Sequence, residues 1–124
     1  MVGRLRRRFV VVTVRGDSME PALRHGDRVL ADRADMSAVR VGDIVVLEPG
    51  RATNRSTAYW MIKRVVAVAG DRVPPGSVPA RSAARDTVVP CGMLVVAGDN
   101  AAASSDSRQL GYFPIEGVLG VVRR

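Results

Sequence analysis

Short valine-rich runs separated by Gly-Asp pairs limit what this chain can fold into more than any other feature. Gly26-Asp27, Gly42-Asp43 and Gly70-Asp71 each stand directly before an apolar or mixed run. Glycine tolerates the left-handed backbone and aspartate bonds its own main chain, so each pair marks a turn. The intervening runs are too short for core helices. They are rich in Val and Ile, which suit a pleated, half-buried surface. The pattern predicts strands at 9–15, 28–32, 44–47, 58–69 and 93–97. Gly70-Asp71 repeats the turn-and-strand pattern, leading into Arg72-Val73. A closing segment, 115–123, carries Val118, Val121 and Val122 in apolar spacing. The expected fold class is mostly β, in one domain spanning 9–124 behind a basic arm at 1–8. At 124 residues the chain suits a single modest core. Pro74 to Pro90 is rich in Pro, Ala, Ser and Arg and reads as a flexible surface excursion.

Composition excludes several chemistries. A single cysteine, Cys91, rules out an internal disulfide, and one cysteine with one histidine argues against a zinc site or a Cys-His peptidase. No metal and no cofactor are expected. His25, in Arg24-His25-Gly26-Asp27, reads as a turn residue without a catalytic role. The formal net charge is +7. Such charge suits nucleic acid, anionic lipid or acidic peptides, but it is also what scattered surface arginines produce. Aromatics are 4% of the chain, too few for stacking bases, so specific nucleic-acid binding is not expected. The one dense cluster is Arg4, Arg6, Arg7 and Arg8, which suits either lipid headgroups or open solvent. No apolar run approaches the ~20 residues of a membrane helix. The chain therefore reads as cytoplasmic or membrane-peripheral, and as extracytoplasmic if an anchor has been removed.

Of nineteen basic residues only Lys63 is a lysine. Unlike a guanidinium, an ammonium group loses its proton when desolvated. A free lysine, with a pKa of ~10.4, is neutral at pH 7 in only about one molecule in a few thousand. A working lysine base therefore needs surroundings that disfavour its charge. Met61, Ile62, Val65 and Val66 flank Lys63, and in a strand Lys63 and Arg64 face opposite ways. Upstream, Gly16-Asp17-Ser18-Met19-Glu20-Pro21 sets a serine in a break after the first strand. Gly16 permits a close backbone approach, and the Ser18 N–H is a candidate oxyanion donor. Serine with a neutral lysine makes a hydrolase without histidine.

Four blocks in order carry a family resemblance. They are Gly16-Asp17-Ser18-Met19-Glu20-Pro21-Ala22-Leu23, Gly42-Asp43-Ile44-Val45-Val46, Lys63 through Asp71, and Gly98-Asp99-Asn100 through Ser104-Ser105-Asp106-Ser107-Arg108. With Gly111-Tyr112-Phe113-Pro114 downstream, the chain resembles type I signal peptidases from about residue 10 to 122. These are serine–lysine peptidases that remove leader peptides. The resemblance implies a β catalytic core like that of signal peptidases and SOS-type repressors, without the large inserted second domain. It implies Ser18 as nucleophile, Lys63 as general base, and Ser104 orienting the lysine amine. Asp99 would pair with Arg64 and Asp106 with Arg108 as structural support, although the last two read equally as surface polar contacts. Val14, Gly16, Met19, Leu23 and Ile62 would meet the substrate, which would lie as an added strand along 14–16 and 61–63.

The partner implied is the leader or signal peptide of a precursor, cut after small residues. A small member without an anchor also suits a dedicated maturation protease, acting on a nickel superoxide dismutase or a peptide natural product. Ala22 stands where threonine is common. Gly16 stands where some members carry a serine that helps bind the oxyanion. Self-cleaving repressors share the serine and lysine, but only seventeen residues precede Ser18 and no cleavage segment is evident there. A basic binding module and a catalytically dead leader binder are the non-enzymatic alternatives.

Overall fold

The computed structural model describes residues 8–33, 38–48 and 60–123. Among the described residues there are seven strands: β1 (Phe9–Thr13), β2 (Arg28–Asp32), β3 (Ile44–Leu47), β4 (Met61–Val68), β5 (Met93–Ala97), β6 (Phe113–Pro114) and β7 (Val118–Arg123). They form one sheet in the order β1-β2-β7-β3-β4-β5-β6, with every neighbouring pair antiparallel. The mostly β expectation therefore holds. The last strand, β7, inserts between β2 and β3, which ties the two halves of the chain together.

β3 is buried at all four positions, as its unbroken Ile-Val-Val-Leu run requires of a strand covered on both faces. The core is aliphatic. Val45, Val46, Val95 and Val96 are fully enclosed, and each such side chain contributes about 1.5–3 kcal/mol relative to exposure. Register shifts interrupt the ladders between Val46 and Leu47 in β3 and between Val65 and Ala67 in β4. The second bulge falls shortly after Lys63, where it bends the strand that carries this residue.

Several boundaries differ from expectation. β1 stops at Thr13 because Val14 turns its main chain toward Asp27 and Gly26. β4 starts at Met61; residues 58 and 59 lie outside the described residues. Residues 115–117 form a 3-10 turn before β7. Arg72 makes an isolated bridge to Val88 rather than a strand.

The stretch 74–90, expected as a flexible excursion, has its own folded structure. It contains helix α1 (Ala80–Arg85), and Val78 and Val89 pack with Ala67 and Val95 against the sheet. Main-chain bonds Gly70 N–H to Val89 O and Val89 N–H to Asp71 O close its base. A second short helix, α2 (Ser107–Leu110), follows β5. Among the described residues no helix is long and apolar enough to cross a membrane. Arg4, Arg6 and Arg7 lie outside the described residues. Arg8 pairs with the buried carboxylate of Asp32, which also accepts from Arg123.

Candidate active site

The loop joining β1 to β2 carries Ser18. Val14 closes its base, donating its N–H to Asp27 O at 2.7 Å and accepting from Gly26 N–H at 2.8 Å. Met19 and Leu23 anchor the loop from within, both buried in a cluster with Val14, Val29, Ile44 and Ile62. Leu23 N–H returns to Met19 O, giving the single helical turn expected around Pro21. Ser18 is half-buried at the head of the loop.

Among the described residues, apart from its two chain neighbours, nothing lies within 4 Å of where a Gly16 Cβ would stand, so the fold leaves the space beside it open. Its φ is +81°, a conformation costly for any residue with a Cβ. The close-approach glycine is Gly98, directly after β5. A Cβ there would stand 2.7 Å from the Ser18 carbonyl oxygen and 2.6 Å from Ser104 Cβ. The Ser18 turn and Ser104 thus pack against the same glycine. Asn100 completes the grip. Its N–H donates to Ser18 O at 2.8 Å and its Nδ2 to Asp17 O at 3.1 Å.

Lys63 lies in β4 opposite Val45 and is 5% exposed. Its Nζ donates to Ser104 Oγ at 2.9 Å. Ser104 Oγ in turn donates to Asp106 Oδ2 at 2.6 Å. This sets the direction of the chain of bonds: the serine proton is committed to the carboxylate, and a serine lone pair receives the lysine. Burial lowers the Lys63 pKa; the Asp106 charge opposes this and Arg108 reinforces it. Among the described residues, the hydrogen bond of Lys63 Nζ goes to Ser104 and not to the Ser18 hydroxyl. Nucleophile–base contacts often tighten only once substrate is bound.

Asp106 is not the surface contact that its sequence setting allowed. It is completely buried. It caps α2, accepting from the Arg108 N–H, while Gln109 Oε1 accepts from the Asp106 N–H. It also accepts from Gly98 N–H at 2.9 Å and from Arg108 Nε and Nη2, both at 2.8 Å. Burial alone would raise the Asp106 pKa, but donation from Arg108, Ser104 and two main-chain N–H groups holds it at about 2. A carboxylate so fixed orients Ser104 without taking a proton. Its paired guanidinium offsets part of the field by which Asp106 favours a proton on Lys63, and burial outweighs the remainder.

Arg64 points away from Lys63, as alternation requires. Its Nε and Nη2 make a two-pronged pair with Asp99 at 2.9 and 2.8 Å, and its Nη1 donates to Gly42 O. Four of the expected substrate contacts, Val14, Met19, Leu23 and Ile62, share one buried cluster, each no more than 6% exposed. They are core side chains that present only their edges outward. Beside them an open groove of about 280 Å³ is lined by Val10–Thr13, Arg15, Trp60 and Leu119. It continues the direction of 14–16 and 61–63 toward earlier residues of both segments.

Sequence reasoning left four residues of this region without a role: Gly98, Asn100, Ser107 and His25. The buried Ser107 accepts from Val96 N–H and so fastens α2 to β5. Among the described residues there is no group of three or more His, Cys, Asp or Glu side chains able to hold a metal.

The family model described as "Signal peptidase, peptidase S26" matches residues 5–78 and 74–124. The mitochondrial inner membrane protease subunit 1 of Xenopus tropicalis is 34% identical over 112 residues, covering 89% of this chain and 64% of the relative. The mitochondrial ATP-independent inner membrane protease subunit 1a of Arabidopsis thaliana is 32% identical, covering 91% and 68%. A probable signal peptidase I-1 of Synechocystis is 29% identical, covering 91% and 70%. The chain thus spans roughly two thirds of the length of these relatives. The matches extend over the serine loop, the lysine strand and the Gly98–Arg108 segment together, and the chain belongs to the signal peptidase S26 family.

Proposed function

We propose that this protein is a serine endopeptidase that removes leader or signal peptides from precursor proteins, with Ser18 as nucleophile and Lys63 as general base. The observation that carries the proposal is the setting of the chain's one lysine. It is buried in a strand, its pKa is lowered by desolvation, and its amine donates to a serine already committed to a fixed carboxylate. A neutral amine with one N–H engaged by Ser104 keeps its lone pair for another proton.

The reaction then proceeds as follows. Lys63 takes the Ser18 hydroxyl proton as Oγ bonds to the scissile carbonyl carbon, giving a tetrahedral oxyanion. The Ser18 N–H is the donor assigned to that oxyanion; with glycine at 16 no side-chain hydroxyl assists from that position. The oxyanion collapses, the C–N bond breaks, and the lysine ammonium gives its proton to the leaving amine. Water then attacks the acyl carbon while Lys63 accepts its proton; the C–Oγ ester bond breaks, Lys63 returns the proton to Ser18 Oγ, and the carboxylate product leaves. The substrate lies extended along 14–16 and 61–63 and continues into the groove beside Trp60. The edges of Met19, Leu23 and Ile62 form the floor against which small side chains at −1 and −3 rest.

The test is a panel of peptides with Ala-X-Ala junctions, read by mass spectrometry, beside an acylating inhibitor that labels Ser18. Cleavage after the small residue by wild type, absent in Ser18→Ala, supports the proposal. Labelling of Ser18 without cleavage of any panel member points to one dedicated precursor outside the panel. The absence of both cleavage and labelling contradicts the peptidase assignment.

A further inference from the structure

We infer that His25 is a positioning residue: its Nδ1 holds the Gly16 amide and thereby sets the path of the backbone into Ser18. This rests on the assignment of Ser18 as nucleophile. Gly16 N–H donates to His25 Nδ1 at 2.8 Å. The bond requires a lone pair on Nδ1, so the ring proton resides on Nε2.

The position of this bond gives it leverage. Before the turn, Val14 is fixed by Asp27 O and Gly26 N–H. After it, Asp17 O and Ser18 O are fixed by Asn100. Between these clamps the chain reverses through Gly16 at φ +81°. Glycine has more accessible backbone conformations than any other residue, so a glycine left to itself is the loosest link in such a turn. The Gly16 N–H lies in the Arg15–Gly16 peptide, so its bond to His25 fixes the plane by which the chain enters the glycine. The Asp17–Ser18 peptide is held on its far side by Asn100, and the Gly16 torsions between these two fixed peptides are thereby restricted.

The histidine is itself held. Arg24 N–H donates to Asp27 Oδ2 and Asp27 N–H to Arg24 O, both at 2.9 Å, so His25 projects from a turn stapled by aspartate. Arginine or lysine at 25 would offer no acceptor. Asparagine would offer Oδ1 near the place of Nδ1, whereas glutamine carries its acceptor one carbon farther out. His25 is exposed, so water competes for the Gly16 amide and global stability should change little when the bond is lost. The expected effect is on local order and on rate.

Two readouts test this together. The first is independent of catalysis: a through-hydrogen-bond ¹⁵N–¹⁵N coupling between Gly16 N and His25 Nδ1, with hydrogen exchange at Gly16, Asp17 and Ser18 in wild type, His25→Ala, His25→Asn and His25→Gln. The coupling should be present in wild type. Exchange at these amides should be faster in the Ala and Gln variants and close to wild type in Asn. The second is peptide cleavage, where His25→Ala should lower kcat/KM by up to about tenfold, mainly in kcat, with Asn returning it to within about twofold and Gln not. A ring protonated at Nδ1 without coupling to Gly16 overturns the inference. So does a His25→Ala protein with wild-type exchange and wild-type rate. A wild type that shows the coupling and the exchange pattern but cleaves nothing supports the positional claim and counts against the peptidase assignment instead.

Discussion

Replacing Gly98 by alanine tests the packing on which the site depends. The added methyl would stand 2.7 Å from Ser18 O and 2.6 Å from Ser104 Cβ, and Ser104 Oγ would also be in its way. Carbon contacts are comfortable at about 3.5–4.0 Å, so the surroundings must open by roughly 1 Å. Relief is not easily found. Ser18 O belongs to the main chain and is bonded to Asn100 N–H, while Gly98 N–H is bonded to the buried Asp106. The strain therefore falls on the separation between the Ser18 turn and Ser104, the residue that bonds Lys63. Overpacking of this kind costs about 1–3 kcal/mol, read as a lower urea midpoint. A shift of ~1 Å in a catalytic constellation costs about a hundredfold in rate.

Gly76→Ala separates crowding from generic glycine loss. Gly76 has φ +74° and nothing within 4 Å of its Cβ position, so that variant should lose stability while keeping kcat/KM. Wild-type kcat/KM in Gly98→Ala would refute the claim that Ser18 and Ser104 are packed across Gly98.

Ser104→Ala should lower kcat/KM by about 10- to 100-fold, because the lysine amine loses its orienting acceptor; steady-state cleavage reads this directly. Asp106 should govern acid stability. Its folded pKa of about 2 lies below its ordinary value of 3.8, so its stabilisation is present above about pH 4 and lost as pH falls toward 2. The loss is about 2 kcal/mol, to be read from urea midpoints across that range and expected to vanish in Asp106→Asn. Lys63 has the opposite consequence, since its lowered pKa means the native state holds a proton less tightly than the unfolded chain. Lys63→Met should therefore gain stability at neutral pH, and the gain should shrink as pH climbs toward the ordinary lysine range. For the same reason the kcat/KM of wild type should rise with pH as the neutral amine accumulates, and a flat profile would exclude a titrating lysine.

The longer strands were legible because valine runs and Gly-Asp turns are local signals, whereas the two-residue β6 has neither. β2, β3 and β5 have the boundaries that their sequences indicate. Residues 74–90 were not legible for the converse reason. Val78 and Val89 are isolated apolar residues among Pro, Ala, Ser and Arg, and only the sheet they cover reveals them as core. α1 has no acidic residue in its first turn and no side-chain N-cap bond, so no helix-start signal precedes it.

At the site, the residue types were visible in the sequence but their depth was not. Asp106 sits among serines and an arginine, a setting that suggests solvent, yet five hydrogen bonds bring its carboxylate fully inside. Gly98 has no positive φ, so its requirement arises solely from what packs against it. His25 acts across nine residues through one ring nitrogen, and no local pattern encodes that.

The most direct test of the central claim is the cleavage rate of Lys63→Arg beside wild type on a peptide that wild type cleaves after a small residue. Arginine keeps the charge and most of the length but cannot become a neutral base. A folded Lys63→Arg protein should show no turnover above background. Substantial cleavage by that variant would contradict this and remove Lys63 from the chemistry.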